Sequence, residues 1–91
     1  MNHTELTAKT TITDIEVKPD KNSNPYFKLS LRGFANCFYA FAYNLSEKTL
    51  QMLKYSPEKL INQLVLITYQ ELPNQDQQGT FYKVKGIELI T

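Results

Sequence analysis

The sequence predicts an all-β domain with one helix: five strands able to close into a small barrel, the helix falling between the third and fourth strands. Three observations carry this. Five stretches rich in β-branched and aromatic residues recur along the chain, several with alternating apolar and polar positions. One stretch, between Ser46 and Ser56, has helical spacing and a helix-start signal instead. Two of the strand-forming stretches change phase part-way, near Asp14 and at Gly86, as strands do where bulges bend them round a barrel.

Strand 1 is expected over Thr10 to Lys18, where Ile15 and Val17 alternate with Glu16 and Lys18. Ile12 is out of phase with Ile15, which places a bulge near Asp14. The turn-forming residues of Pro19 to Pro25 make a polar loop. Strand 2, Tyr26 to Arg32, is the cleanest alternation: Phe27, Leu29 and Leu31 share one face, and Tyr26, Lys28, Ser30 and Arg32 the other. Gly33 then marks a turn. Strand 3 is expected over Asn36 to Tyr43. Both of its faces are apolar or aromatic, so periodicity does not choose which one looks inward.

Ser46 is a helix N-cap, with Glu47 in the first turn where the helix dipole favours an anion. Leu50, Met52 and Leu53 form its apolar stripe. Pro57 suits the first position of a second, shorter helical turn, which Lys59 to Asn62 completes. Strand 4 runs from Gln63 to Glu71, and Pro73 to Gly79 is a second polar loop. Strand 5 covers Thr80 to Ile90, with Tyr82 and Val84 on one face and Phe81, Lys83 and Lys85 on the other. Gly86 breaks its phase.

From about Thr10 to Ile90 the chain resembles an OB-fold nucleic-acid-binding domain. The stretches that carry the resemblance are ITDIEV, PYFKLSL, the aromatic NCFYAFAY, the Leu-rich helix, LVLITY and FYKVKGIELI, in that order. It is a resemblance of pattern and order rather than of a signature motif. It implies one OB-type five-stranded barrel over residues 10–91, preceded by a flexible arm over residues 1–9. It also implies a binding face on strands 2 and 3, flanked by the loops between strands 1 and 2 and between strands 4 and 5. An SH3-like barrel is the nearest competing architecture, but usually lacks a helix of this length before its fourth strand.

Composition bounds the remaining choices. A chain of 91 residues fits a single domain. With 42% hydrophobic and 21% charged residues it has an ordinary globular balance, not that of a disordered segment. A single cysteine, Cys37, rules out an internal disulfide and a cysteine-rich zinc site, and is read as a small buried hydrophobe within strand 3. The only histidine, His3, falls on the arm, so no nucleophile–histidine pair is expected. The strand carboxylates Asp14, Glu16, Glu71 and Glu88 read as solvated charges. Three glycines, at 33, 79 and 86, make no phosphate loop. An enzyme is therefore not expected, nor any metal or cofactor. The apolar stretch Phe34 to Leu45 is too short for a bilayer span, which needs about 20 residues. No membrane association is expected, and no signal peptide is legible at the start. The default setting is cytoplasmic.

Candidate binding residues follow from combining rings with cations, since a ring can stack a base while a cation meets a phosphate. On strand 2 these are Tyr26, Lys28 and Arg32. On strand 3 they are Tyr39, Phe41 and Tyr43, provided Phe38, Ala40 and Ala42 point inward. On strand 5 they are Lys83 and Lys85. The loops add Lys21, Asn22, Asn24, Asn74, Gln75, Gln77 and Gln78, whose side chains also suit plain solvated loops. The expected partner is single-stranded nucleic acid, DNA rather than RNA, bound with little sequence preference. The net charge of only +1 argues for weak binding by one copy, which makes an oligomer attractive. The alternative is a protein-interaction module or a homodimerising adaptor subunit using the same rings, because interfaces favour Tyr, Phe and Arg. One feature separates the two. Lysines and exposed rings on a shared face favour nucleic acid; rings alone favour a protein partner.

Overall fold

The computed structural model describes residues 5–19, 21, 22, 24–73 and 80–90. Five strands close into a barrel in the order β1-β2-β3-β5-β4, with one α-helix between the third and fourth. This is the expected OB-type arrangement. Every neighbouring pair is antiparallel except β3 and β5, which run parallel.

β1 spans Glu5–Pro19 and is shared by two neighbours. Its first half, Glu5 to Thr11, pairs with β4, and its second half, from Ile12, pairs with β2. Between them the register shifts at Ile12/Asp14, which is the expected bulge. The extra residue is Thr13, whose hydroxyl donates to the Ser30 carbonyl at 3.1 Å. A 15-residue strand could not serve both neighbours without such a bend. The strand starts earlier than the sequence reading placed it. Glu5 to Lys9 pair with Gln70 to Leu66 instead of belonging to an arm, because Ala8 is an inward position of the barrel. Residues 1–4 lie outside the described residues.

β2 (Pro25–Leu31) buries Phe27, Leu29 and Leu31 as its alternation requires. Gly33, at φ +87°, makes the turn out of β2, a conformation that costs glycine least. β3 is short, Phe38–Phe41, and gives way to a single 3-10 turn over Ala42–Asn44. The expected strand over Asn36 to Tyr43 is thus trimmed at both ends, and Cys37 falls just before β3, half-buried rather than in the core. Its Sγ lies 3.9 Å from the Ser30 hydroxyl.

The helix α1 spans Glu47–Tyr55. Ser46 caps it: the Ser46 hydroxyl accepts from the Thr49 amide at 3.2 Å and donates to the Thr49 hydroxyl at 3.0 Å. Glu47 in the first turn and Lys54 in the last both complement the helix dipole. Leu53 is fully buried, and Leu50 and Met52 pack at the margin of the core. A 3-10 turn at Pro57–Lys59 follows, and Leu60 after it is fully buried. Asn62 then takes φ +65°, which asparagine tolerates better than most residues, and its amide donates to the Ile12 carbonyl at 2.7 Å. The helical segment is thereby tied to the bend of β1.

β4 (Leu64–Pro73) and β5 (Thr80–Leu89) form the second long hairpin. Their register runs Thr68↔Gly86 and then Tyr69↔Val84, so Lys85 is the extra residue of the second expected bulge. Ile12, Phe27, Leu29, Phe38, Ala40, Leu53, Leu60, Val65, Ile67 and Val84 are all fully buried and form one core. Tyr69 closes one side of it, meeting Phe38 and Tyr82 edge-on at 4.8 and 5.8 Å. Burial pushes its phenol above the usual tyrosine range, and the charges of Glu71 and Tyr82 add to the effect.

Candidate nucleic-acid interface

The inward face of β3 decides what its outward face displays. Phe38 and Ala40 are fully buried. Phe38 stacks on Tyr82 at 4.8 Å, and Ala40 sits opposite Phe27, a small residue against a large one. The reverse phase would aim Tyr39 and Phe41 at an interior that has room beside Phe27 only for the small Ala40, and would turn Phe38 out to solvent. Close packing therefore turns Tyr39 and Phe41 outward.

There they meet rings from both neighbouring strands. Tyr26 on β2 lies opposite Phe41, with ring centroids 5.6 Å apart, and 6.3 Å from Tyr39. Phe81 on β5 stacks on Tyr39 at 5.3 Å and approaches Phe41 at 5.9 Å. Tyr43, in the 3-10 turn, stacks on Phe41 at 5.8 Å and is 77% exposed. Five rings from three strands and a turn thus make one continuous surface. A cleft of about 270 Å³ lined by Asn24, Pro25, Phe41, Ala42 and Tyr43 lies at one end of it. Another of about 280 Å³, lined by Asn36, Cys37, Tyr39, Thr80 and Phe81, lies at the other.

Cations border the rings on the same face. Lys28 of β2 and Lys83 of β5 both pair in register with Tyr39, one on each side. The Lys83 ammonium lies 5.1 Å from the centre of the Tyr43 ring. Lys85 donates to the Asn44 side-chain carbonyl at 3.2 Å. Among the described residues the ion pair is Lys18 with Glu16, at 3.5 Å, and Lys28, Lys83 and Lys85 meet no described carboxylate within ion-pair distance.

Of the residues expected from sequence, the structure brings Tyr26, Lys28, Tyr39, Phe41, Tyr43 and Lys83 together. Lys85 stands at the margin, since its bulge position turns it toward Asn44 and the start of α1. Arg32 stands apart. The β2–β3 pairing ends at Leu29↔Phe38, and Arg32 lies in the turn beyond, its amide donating to the Thr11 carbonyl at 3.0 Å. Phe81 completes the ring surface and was not among the expected site residues, although its alternation with Lys83 pointed to the same face. Lys21, Asn22 and Asn24 are exposed in the β1–β2 connection. Asn74, Gln75, Gln77 and Gln78 lie outside the described residues. Among the described residues no cluster of His, Cys, Asp and Glu could hold a metal ion, and no helix is long and apolar enough to cross a membrane.

The architecture is that of an OB-type barrel. It is shared with two crystal forms of Rim1, a mitochondrial single-stranded DNA binding protein from S. cerevisiae. One form matches with a TM-score of 0.68 and 16% identity, covering 100% of this chain and 97% of that one. The other matches with a TM-score of 0.71 and 17% identity, covering 99% and 98%. At such identity the likeness establishes the fold. No protein-family model and no curated protein sequence matches the chain.

Proposed function

We propose that this chain binds single-stranded nucleic acid, DNA rather than RNA, on the outer face of β2, β3 and β5. The observation that carries the reading is the sharing of one face by rings and cations: Tyr39 and its ring neighbours lie between Lys28 and Lys83. Tyr26, Tyr39, Phe41 and Phe81 offer π-faces to bases, which gives binding without sequence preference. Lys28 and Lys83 meet the phosphates on either side, with Lys85 and Arg32 as outlying cations. The preference for DNA draws support from the yeast protein of similar fold, which is a single-stranded DNA binding protein. The reading is of a binder, not an enzyme. With a net charge of +1, affinity rests on stacking more than on bulk electrostatics, and assembly of several copies would strengthen it.

The test is fluorescence anisotropy with a labelled 20-nucleotide strand at several salt concentrations. Saturable binding is expected, with log K falling against log salt at a slope of about −1.4 to −2.8 for two to four phosphate contacts. A matched RNA strand is expected to bind more weakly. Absence of binding at high micromolar protein would defeat the reading and turn the ring surface into a protein-binding or self-associating one, which sedimentation would then reveal.

A further inference from the structure

Two lysines of β5, Lys83 on the ring face and Lys85 at its margin, are held by the same short segment. The 3-10 turn Ala42–Asn44 begins where β3 leaves the sheet. The β3–β5 pairing spans only Phe38↔Tyr82 and Tyr39↔Lys83. Beyond it, Asn44 takes the place of the missing strand: its side-chain amide donates to the Val84 carbonyl at 3.1 Å. That bond fixes which way the amide faces. Its nitrogen is committed to Val84, so its oxygen points away and accepts from the Lys85 ammonium at 3.2 Å. A flipped amide would set NH₂ against an ammonium and oxygen against oxygen. Lys85 is the bulge residue of β5, free of the strand's regular alternation, and Asn44 supplies its direction.

The residue before Asn44 does the same for Lys83. Tyr43 is 77% exposed, yet its ring is engaged twice, stacking on Phe41 at 5.8 Å and lying 5.1 Å from the Lys83 ammonium.

We propose that Tyr43 and Asn44 are positioning residues, a two-residue clamp that orients Lys83 and Lys85 toward the phosphates of a bound single strand. The proposal rests on the nucleic-acid reading above and assigns Tyr43 a different part in it: the ring serves a lysine instead of stacking a base. Lysine ammonium groups on four-carbon stems are otherwise free to sample many rotamers, and each must be immobilised when it meets a phosphate. A clamp acting before the ligand arrives removes part of that cost.

Two measurements test it. In the free protein, NMR of the lysine ε-methylene groups reads the ring over Lys83. Its protons are expected upfield of those of Lys28, with the shift lost in Tyr43→Leu and kept in Tyr43→Phe. In binding, Tyr43→Leu is expected to weaken affinity about two- to fivefold, the scale of one exposed cation–π contact. The salt slope should also shrink toward the loss of one phosphate contact, about 0.7. Tyr43→Phe should restore both, and Asn44→Ala should lower the slope in the same way. Tyr43 is exposed, so its variants test the clamp even if Asn44→Ala weakens the fold. A Tyr43→Leu protein that loses affinity with its slope unchanged would show a stacking ring and overturn the clamp, leaving the nucleic-acid reading intact. An unshifted Lys83 in the free wild-type protein would also overturn the clamp. Failure of the wild-type protein to bind any strand would overturn both.

Discussion

Tyr39 is the residue on which the proposed binding surface turns, because it touches rings on both sides and pairs in register with a lysine on both sides. Tyr39→Ala is expected to lower affinity by about 1–3 kcal/mol, the value of one base–ring stack, with the salt slope unchanged. Lys28→Ala should reduce the slope by about 0.7 with a smaller loss of affinity at high salt. Anisotropy titrations across salt separate the two. Beneath the surface, Phe38 is fully buried between Tyr82 and Tyr69, and Phe38→Ala is expected to cost about 3–5 kcal/mol in denaturant unfolding. Tyr69 supplies a pH dependence. Its phenol titrates higher folded than unfolded, so its contribution to stability is full below the usual tyrosine value of about 10 and is lost as pH rises through the folded value. The unfolding midpoint of wild type should therefore fall relative to that of Tyr69→Phe as pH climbs past 10.

Among the elements, α1 depends on its first residues. Ser46→Ala removes the hydroxyl that both accepts from the Thr49 amide and donates to the Thr49 hydroxyl, and Thr49 is itself buried. A loss of about 1 kcal/mol in chemical denaturation is expected. This cap was legible in sequence because its signal is local, a serine three residues ahead of its partner. The bulges near Asp14 and Gly86 were legible for the same reason, as breaks in alternation. The facing of β3 was not. Asn36 to Tyr43 is apolar on both faces, and only the volume of Phe27 and Phe38 inside a closed barrel settles that Tyr39 and Phe41 look outward. Asn44 had no sequence signal at all, since its partners Val84 and Lys85 lie about forty residues away along the chain.

At the scale of the molecule, the order of strands, the place of the helix and the barrel itself followed from the succession of patterns, while the strand pairing that closes it on the β1 side did not. Closure depends on β1 reaching back to Glu5, and Leu6 to Thr10 show too little alternation of large apolar residues to announce a strand. The absence of a strong charge was informative in its own way. On the proposed reading, a near-neutral chain has to bind nucleic acid through a local pairing of rings and lysines, and β2, β3 and β5 assemble such a pairing.

The short parallel join between β3 and β5 has a consequence for how the barrel breathes. β5 is paired with β4 from Thr80 to Leu89, but with β3 only at Tyr82 and Lys83. Hydrogen exchange should therefore find its fastest opening along the β3 side of β5, directly beneath Tyr39 and Phe81. A strand lying across those rings would fasten the two edges from outside. Amides on that side should then slow on loading with an oligonucleotide while those between β4 and β5 hold their rates, so that the ligand acts as a staple across the weakest join of the barrel.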